Sequence, residues 1–136
     1  MIVDFVSPSQ HESLIDLLVE LNGYYNGGTC APRAVVRSHL TNNLLAPESP
    51  IRLVTASQDD VVVGFAAITL LYSLVEPTPE KGRQCQLKEL YVRSSARSRK
   101  VGEHIMAWVA RYALTNGCSR IDWPVKADNA RGISFY

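Results

Sequence analysis

Residues 93–105 read RSSARSRKVGEHI, with Arg93, Arg97, Arg99 and Lys100 inside eight positions and Gly102 just after them. Before this run, residues 86–92 (QLKELYV) read as a β-strand. After it, Val101, Ile105, Trp108, Val109 and Tyr112 recur at helical spacing and predict a buried stripe on a helix over 99–115. A strand feeding a tight basic loop and then a helix is a common anion site. The first helical turn leaves backbone N–H groups without partners, and the helix dipole adds positive charge there. Gly102, lacking a side chain, lets a ligand or a neighbouring backbone approach closely. A solvated loop face explains the same charges equally well on spacing alone.

The surrounding composition narrows the anion. The chain has 136 residues, 46% of them hydrophobic, which suits one domain over 1–136 with a real core. Its net charge of +1 argues against general nucleic-acid binding, so the basic cluster is local and fits a small anion. G-x-G-x-x-G and G-x-x-x-x-G-K-[ST] are both absent, which weakens dinucleotide and nucleoside-triphosphate readings. Cys30, Cys85 and Cys118 are odd in number and widely spaced, and His11, His39 and His104 form no cluster with them. No metal site is expected, and reduced thiols fit a cytoplasmic location. The N-terminal MIVDFVSPSQ lacks a signal-peptide pattern, and the apolar run 61–75 is too short and mixed to span a bilayer, so no membrane association is expected.

The remaining elements follow from local signals. Residues 2–6 read as a short strand. Ser7 as cap, Pro8 in the first position and Gln10 closing a capping box start a helix with Leu14, Leu17, Leu18 and Leu21 on one face. Asn22-Gly23 is expected to end it, leaving Tyr24 and Tyr25 in a loop. A second helix is predicted over 32–45. Strands over 51–56 and 61–73 form a hairpin about Gln58-Asp59-Asp60. Asn116-Gly117 stops the third helix, 121–125 is a strand with Pro124 at a bulge or edge, and 129–136 begins a last helix. The predicted order is β-α-α-β-β-β-α-β-α, an α/β domain.

With these pieces in place, residues 85–136 resemble the central motifs of the GNAT superfamily of acyl-CoA-dependent N-acetyltransferases. A strand ending in an L-Y-V-like run leads into Arg/Gln-x-x-Gly-x-Gly/Ala, matched by Arg97-Ser98-Arg99-Lys100-Val101-Gly102; Lys100 stands at the family's first glycine. The family's N-x-x-A-x-x-F-Y is matched by Asn129 through Phe135 and Tyr136, and the end of the chain is most similar to diamine (spermidine/spermine) acetyltransferases and their bacterial relatives. The resemblance implies a mixed, mostly antiparallel sheet flanked by helices. It also implies acetyl-CoA as co-substrate and acetyl transfer to a primary amine by direct attack in a ternary complex.

By the same resemblance, the backbones of Leu90, Tyr91 and Val92 would hold the pantetheine arm. Residues 97–102 (Arg97, Ser98, Arg99, Lys100, Val101, Gly102) would hold the pyrophosphate, and Asn129 would bond the cofactor or simply cap its helix. Tyr136 would protonate the leaving thiolate, with packing beside Phe135 as the plainer role. Glu89 would be the base or a structural carboxylate: the diamine pattern L-E-D-F-F-V becomes Leu87-Lys88-Glu89-Leu90-Tyr91-Val92, keeping only the second acid. Tyr24, Tyr25 and Glu20 would attract a small cationic amine, or cover the core. Cys85 and Cys118 are expected to pack rather than react. The family usually continues past this point into a final hairpin, so either the native chain is longer, the preferred reading, or a second copy covers the open edge in a homodimer. The competing reading is an acyl-CoA-binding module with little or no catalysis. A plain α/β interaction domain is a third, and it predicts no CoA binding.

Overall fold

The computed structural model describes residues 1–97 and 99–123. The strand β1 (Ile2–Phe5) is followed by a one-turn 3-10 segment (Pro8–Gln10), α1 (His11–Tyr25), α2 (Arg33–His39) and a wide turn (Leu40–Leu44). Then come β2 (Arg52–Gln58), β3 (Val61–Tyr72), β4 (Arg83–Val92), a short turn (Ser94–Ala96), α3 (Val101–Thr115) and β5 (Ile121–Asp122). The sheet order is β1-β2-β3-β4-β5, antiparallel throughout except for the parallel pair β4–β5. The predicted mixed, mostly antiparallel α/β sheet is observed. The last predicted helix lies outside the described residues.

Both faces of the sheet are covered. On one, Val54, Ala66, Ile68, Cys85 and Leu87 pack against Val101, Ile105, Val109 and Ala113 of α3. On the other, Leu53, Val62, Phe65, Ala67 and Tyr91 pack against Leu14, Ile15 and Leu17 of α1 and against Leu40. Two-sided burial explains why β3 reads as the continuous run VVVGFAAITLL rather than as an alternation. Bulges then decide which residue faces which helix. Ala56 opposes Gly64 while Ser57 opposes Val62, so Val63 is an extra residue. Ala67 opposes Glu89 while Ile68 opposes Leu87, so Lys88 is another. An inserted residue reverses the alternation of faces. That is how Leu87 and Leu90, three apart, both pack on the α3 side.

Several boundaries differ from the sequence reading. Gly23 does not stop α1: it lies buried inside the helix, where a Cβ would meet Cys30 Sγ at 2.6 Å. The glycine is there for close approach, and Tyr24 and Tyr25 belong to α1 rather than to the loop. Helical hydrogen bonding of the ordinary kind ends at His39, six residues before the expected end of α2 at 45. β4 begins at Arg83 rather than 86. The hairpin turn uses Asp59 and Asp60, both at positive φ (51° and 62°), as a two-residue turn matched to strand twist requires.

Gln10 is the buried polar hinge between α1 and the sheet. Its Oε1 accepts from the Ser7 N–H at 3.1 Å and from Thr55 Oγ1 at 2.9 Å, and its Nε2 donates to Ser57 Oγ at 3.2 Å. The α1–α2 pair is also joined by exposed ion pairs, Arg33 and Arg37 to Glu12 and Arg33 to Asp16, which contribute little in water. Near the other end of α3, Phe5 sets its ring edge-on to Trp108 and Tyr112 at 5.0 and 5.2 Å. The two expected stripe residues Trp108 and Tyr112 stack on each other there, partly exposed.

Candidate active site

The site is built where β4 ends and α3 begins. α3 lies close over β3 because Gly64 gives it room: a Cβ on Gly64 would stand 2.9 Å from Val101 Cγ1 and 3.1 Å from Ile105 Cδ1. This brings the N-terminus of α3 down beside the end of β4. Lys100, the residue just before α3, is left-handed at φ 61°, ψ 21°. Glycine adopts that conformation freely, whereas other residues do so at a cost. The loop therefore has the shape a glycine would give, with a lysine holding it. Among the described residues no side chain caps α3, so its first-turn N–H groups remain available to an anion. Arg99 and Lys100 are exposed beside them, while Val101 and Gly102 are buried. Ser98 lies outside the described residues.

The other two arginines turn inward. Arg93 donates through Nη2 to the Val62 carbonyl at 3.0 Å, and its backbone N–H donates to the Val63 carbonyl at 2.8 Å, tying the loop to β3. Arg97 donates through Nε to the Val92 carbonyl at 3.1 Å, and its guanidinium sits 5.3 Å from the centre of the Tyr91 ring. Arg97 thus braces the strand end as well as lending charge to it.

β4 and β5 share only a short parallel pairing. Among the described residues it consists of Cys85–Ile121 and Gln86–Asp122. Beyond it, the Leu90, Tyr91 and Val92 stretch continues toward the basic loop without a described partner strand on that side. A ligand with amide groups can extend a strand edge of that kind.

On the α1 face, two candidate residues meet. The Tyr25 hydroxyl donates to Glu89, 3.2 Å from Oε1 and 3.4 Å from Oε2. Tyr24 and Tyr25 pack edge to face at 5.3 Å, both half exposed or more. Glu20, one turn and a half earlier on α1, does not join them. Its Oε1 accepts the Ser94 N–H at 3.0 Å, and the Tyr91 phenol is near enough for the carboxylate to act on its titration. Burial raises the Glu20 pKa, but Ser94, Tyr91 and the nearby Arg97 outweigh it, and the carboxyl is held below its ordinary value. The Tyr91 phenol is pushed up to about 12, by burial first and by Glu20 second, so it stays protonated at neutral pH.

Sequence reasoning had no local signal for the Glu20–Ser94 contact, which joins residues 74 apart. Cys85 is fully buried and its thiol is pushed up to about 11, mainly by burial; burial also raises Cys118. Neither is placed to act as a nucleophile. Asn129 and Tyr136 lie outside the described residues. Among the described residues, no group of three or more His, Cys, Asp or Glu is placed to hold a metal ion, and no helix is long and apolar enough to cross a membrane.

Comparison with known proteins assigns this architecture. The acetyltransferase (GNAT) family model matches residues 14–136, and the chain belongs to that family. Thialysine N-epsilon-acetyltransferase of Mus musculus is 35% identical over 78 residues, covering 54% of this chain and 43% of that protein. The Bos taurus protein of the same name is 33% identical over 79 residues, covering 58% and 44%. The matched stretch thus spans less than half of either relative. Among solved structures, an integron cassette protein from the mobile metagenome of V. cholerae superposes with a TM-score of 0.88 at 27% identity, covering 99% of this chain and 81% of that one. An aminoglycoside N-acetyltransferase in complex with CoA superposes with a TM-score of 0.75 at 19% identity, covering 98% and 82%, and shares the fold.

Proposed function

We propose that the protein is an acyl-CoA-dependent N-acetyltransferase that moves an acetyl group from acetyl-CoA to a primary amine on a small molecule, by direct attack in a ternary complex. The observation that carries this reading is the left-handed Lys100 at the start of α3. It gives the basic loop the left-handed turn a glycine would give and leaves the start of α3 without a side-chain cap, a geometry suited to an anion. Thialysine N-epsilon-acetyltransferase, by its name, acetylates an amine, which supports a small amine as acceptor here.

The chain's own residues divide the work. The first-turn N–H groups of α3, with Ser98, Arg99 and Lys100, take the pyrophosphate, and Arg97 braces the loop from behind. The backbone of Leu90, Tyr91 and Val92 takes the pantetheine amides, and Asn129 adds a hydrogen bond. Glu89 accepts the proton that the attacking amine must lose, directly or through water, with Tyr25 orienting the carboxylate. The neutral amine nitrogen then bonds to the acetyl carbon, the carbon–sulfur bond breaks as Tyr136 gives the departing sulfur its proton, and the remaining excess proton on the nitrogen returns to the Tyr136 oxygen, leaving a neutral amide and a free thiol. Tyr24 and Tyr25 present aromatic faces to the cationic acceptor. A cytoplasmic location and a homodimer complete the proposal.

The test is thiol release from acetyl-CoA across a panel of polyamines, lysine analogues, aminoglycosides and peptides. Turnover with a small amine is expected. Activity confined to peptides would refute the small-molecule acceptor, and CoA binding with no turnover on any amine would make the protein a binding module.

A further inference from the structure

The carboxylate of Glu20 belongs to α1, on the face of the sheet opposite α3, yet it ends at the loop that feeds α3. Three observations meet there. The Ser94 backbone N–H donates to Glu20 Oε1 at 3.0 Å. The Tyr91 phenol is near enough to the same carboxylate that each shifts the other's titration. Arg97 stacks 5.3 Å over the Tyr91 ring, donates to the Val92 carbonyl, and is close enough for its charge to act on Glu20 and Tyr91 alike. Glu20 thus touches the loop where it leaves β4 and, through Tyr91 and Arg97, where it approaches α3.

We infer that Glu20 is a positioning residue for the cofactor loop: its carboxylate anchors Ser94 and the Tyr91–Arg97 pair to α1, and acetyl-CoA affinity depends on that anchor. The inference rests on the proposed acetyl-CoA reading of the loop. A charged acceptor on a backbone N–H makes one of the stronger hydrogen bonds available to a protein. The turn Ser94–Ala96 is short and largely exposed, and has little packing of its own beyond Ala96. Removing the anchor leaves the turn free to sample other geometries. A cradle made of backbone N–H groups then binds more weakly, since ordering must be supplied on binding. The same placement takes Glu20 away from the acceptor side, where Tyr25 and Glu89 meet.

The experiment uses the full chain and the variants Glu20→Ala and Glu20→Gln, with two readouts. Amide hydrogen exchange without ligand reports the anchor itself. In Glu20→Ala, exchange at 94–97 is expected to quicken at least tenfold while the α3 core amides at 105–113 stay protected. Titration calorimetry with acetyl-CoA, beside steady-state KM for the best amine, reports the consequence. The acetyl-CoA dissociation constant is expected to rise about tenfold or more in Glu20→Ala. In Glu20→Gln it should rise by less, because the amide oxygen still accepts from Ser94. The amine KM should move less than the acetyl-CoA constant in both. Faster exchange with unchanged acetyl-CoA affinity would make Glu20 a purely structural carboxylate and overturn the inference. So would a rise in amine KM alone, which would return Glu20 to the acceptor pocket. If the wild-type chain binds no acetyl-CoA at all, the proposed function fails and the affinity claim with it; the exchange data then still report whether Glu20 holds the loop.

Discussion

Tyr25 near the end of α1 and Glu89 on β4 are brought together across 64 residues of sequence, with the phenol oxygen 3.2 Å from one carboxylate oxygen and 3.4 Å from the other. A hydroxyl shared between both oxygens restrains the carboxylate. Glu89→Gln keeps the shape and loses the base, so kcat/KM should fall about a hundredfold or more. The acidic limb of the pH–rate profile should disappear with it. Tyr25→Phe should cost far less, roughly tenfold, because it loosens the base without removing it. An unchanged profile in Glu89→Gln would make this carboxylate structural.

Tyr136→Phe removes the proposed proton donor while keeping the ring. The expected result is a fall in kcat of roughly a hundredfold with little change in acetyl-CoA affinity. Thiol release at the wild-type rate would remove Tyr136 from the chemistry.

Lys100 tests the loop's shape separately from its charge. At φ 61° a lysine is held in a region glycine enters freely. Lys100→Gly should therefore raise stability by up to about 1 kcal/mol, the relief of strain exceeding the added freedom of the unfolded chain. Lys100→Val should lower it, since a branched side chain fits that region poorly. Urea midpoints of the two variants decide the matter: a destabilised glycine variant would mean the lysine side chain, not the backbone, holds the loop.

Gly64 is where α3 approaches β3. Beyond the two side chains of α3, an added Cβ would stand 3.2 Å from the Tyr91 carbonyl oxygen. Val101 is stiff at χ1 and a backbone carbonyl cannot step aside. Gly64→Ala should cost about 1–3 kcal/mol. It should also weaken acetyl-CoA binding, because the displaced element is the helix start that forms the anion site. A variant as stable as wild type would show that α3 can shift without loss.

Alkaline pH should destabilise the fold. Burial pushes the Tyr91 phenol up to about 12 from an ordinary 10.0, and the Cys85 thiol up to about 11 from 9.0. In both the neutral form is the one the fold favours. The unfolded chain releases its protons first, so the stability these groups contribute is intact below about pH 9 and is lost progressively from there to about 12. Glu20 has the opposite sign: its lowered pKa contributes stability above the ordinary carboxylate range, lost as pH falls through the folded value. Urea midpoints should be level near neutrality, decline above pH 9, and decline again in acid. In Tyr91→Phe the alkaline decline should be shallower.

Much of this architecture is legible along the chain, and what is hidden has a physical reason. The Leu14–Leu17 stripe, the Asp59-Asp60 turn and the Val101–Ile105–Val109 stripe are local patterns, and each element they predict is present. Gly23 misleads because a glycine used for close approach to Cys30 looks the same in sequence as one that stops a helix. The bulges at Val63 and Lys88 are invisible because they depend on the partner strand's register. The basic loop was legible as charge, but not the inward turn of Arg93 and Arg97, nor the left-handed Lys100. The Glu20–Ser94 and Tyr25–Glu89 contacts join α1 to the far end of β4 and appear only once the sheet is folded.

The proposed function stands on the loop before α3 holding the pyrophosphate of acetyl-CoA. Thermal melting of the full chain with acetyl-CoA, CoA, ATP and NAD in parallel tests it most directly, because a ligand that binds only the folded state raises the midpoint. A rise with both acetyl-CoA and CoA, and none with NAD, is the predicted result. No rise at saturating acetyl-CoA would mean that this loop does not hold the nucleotide.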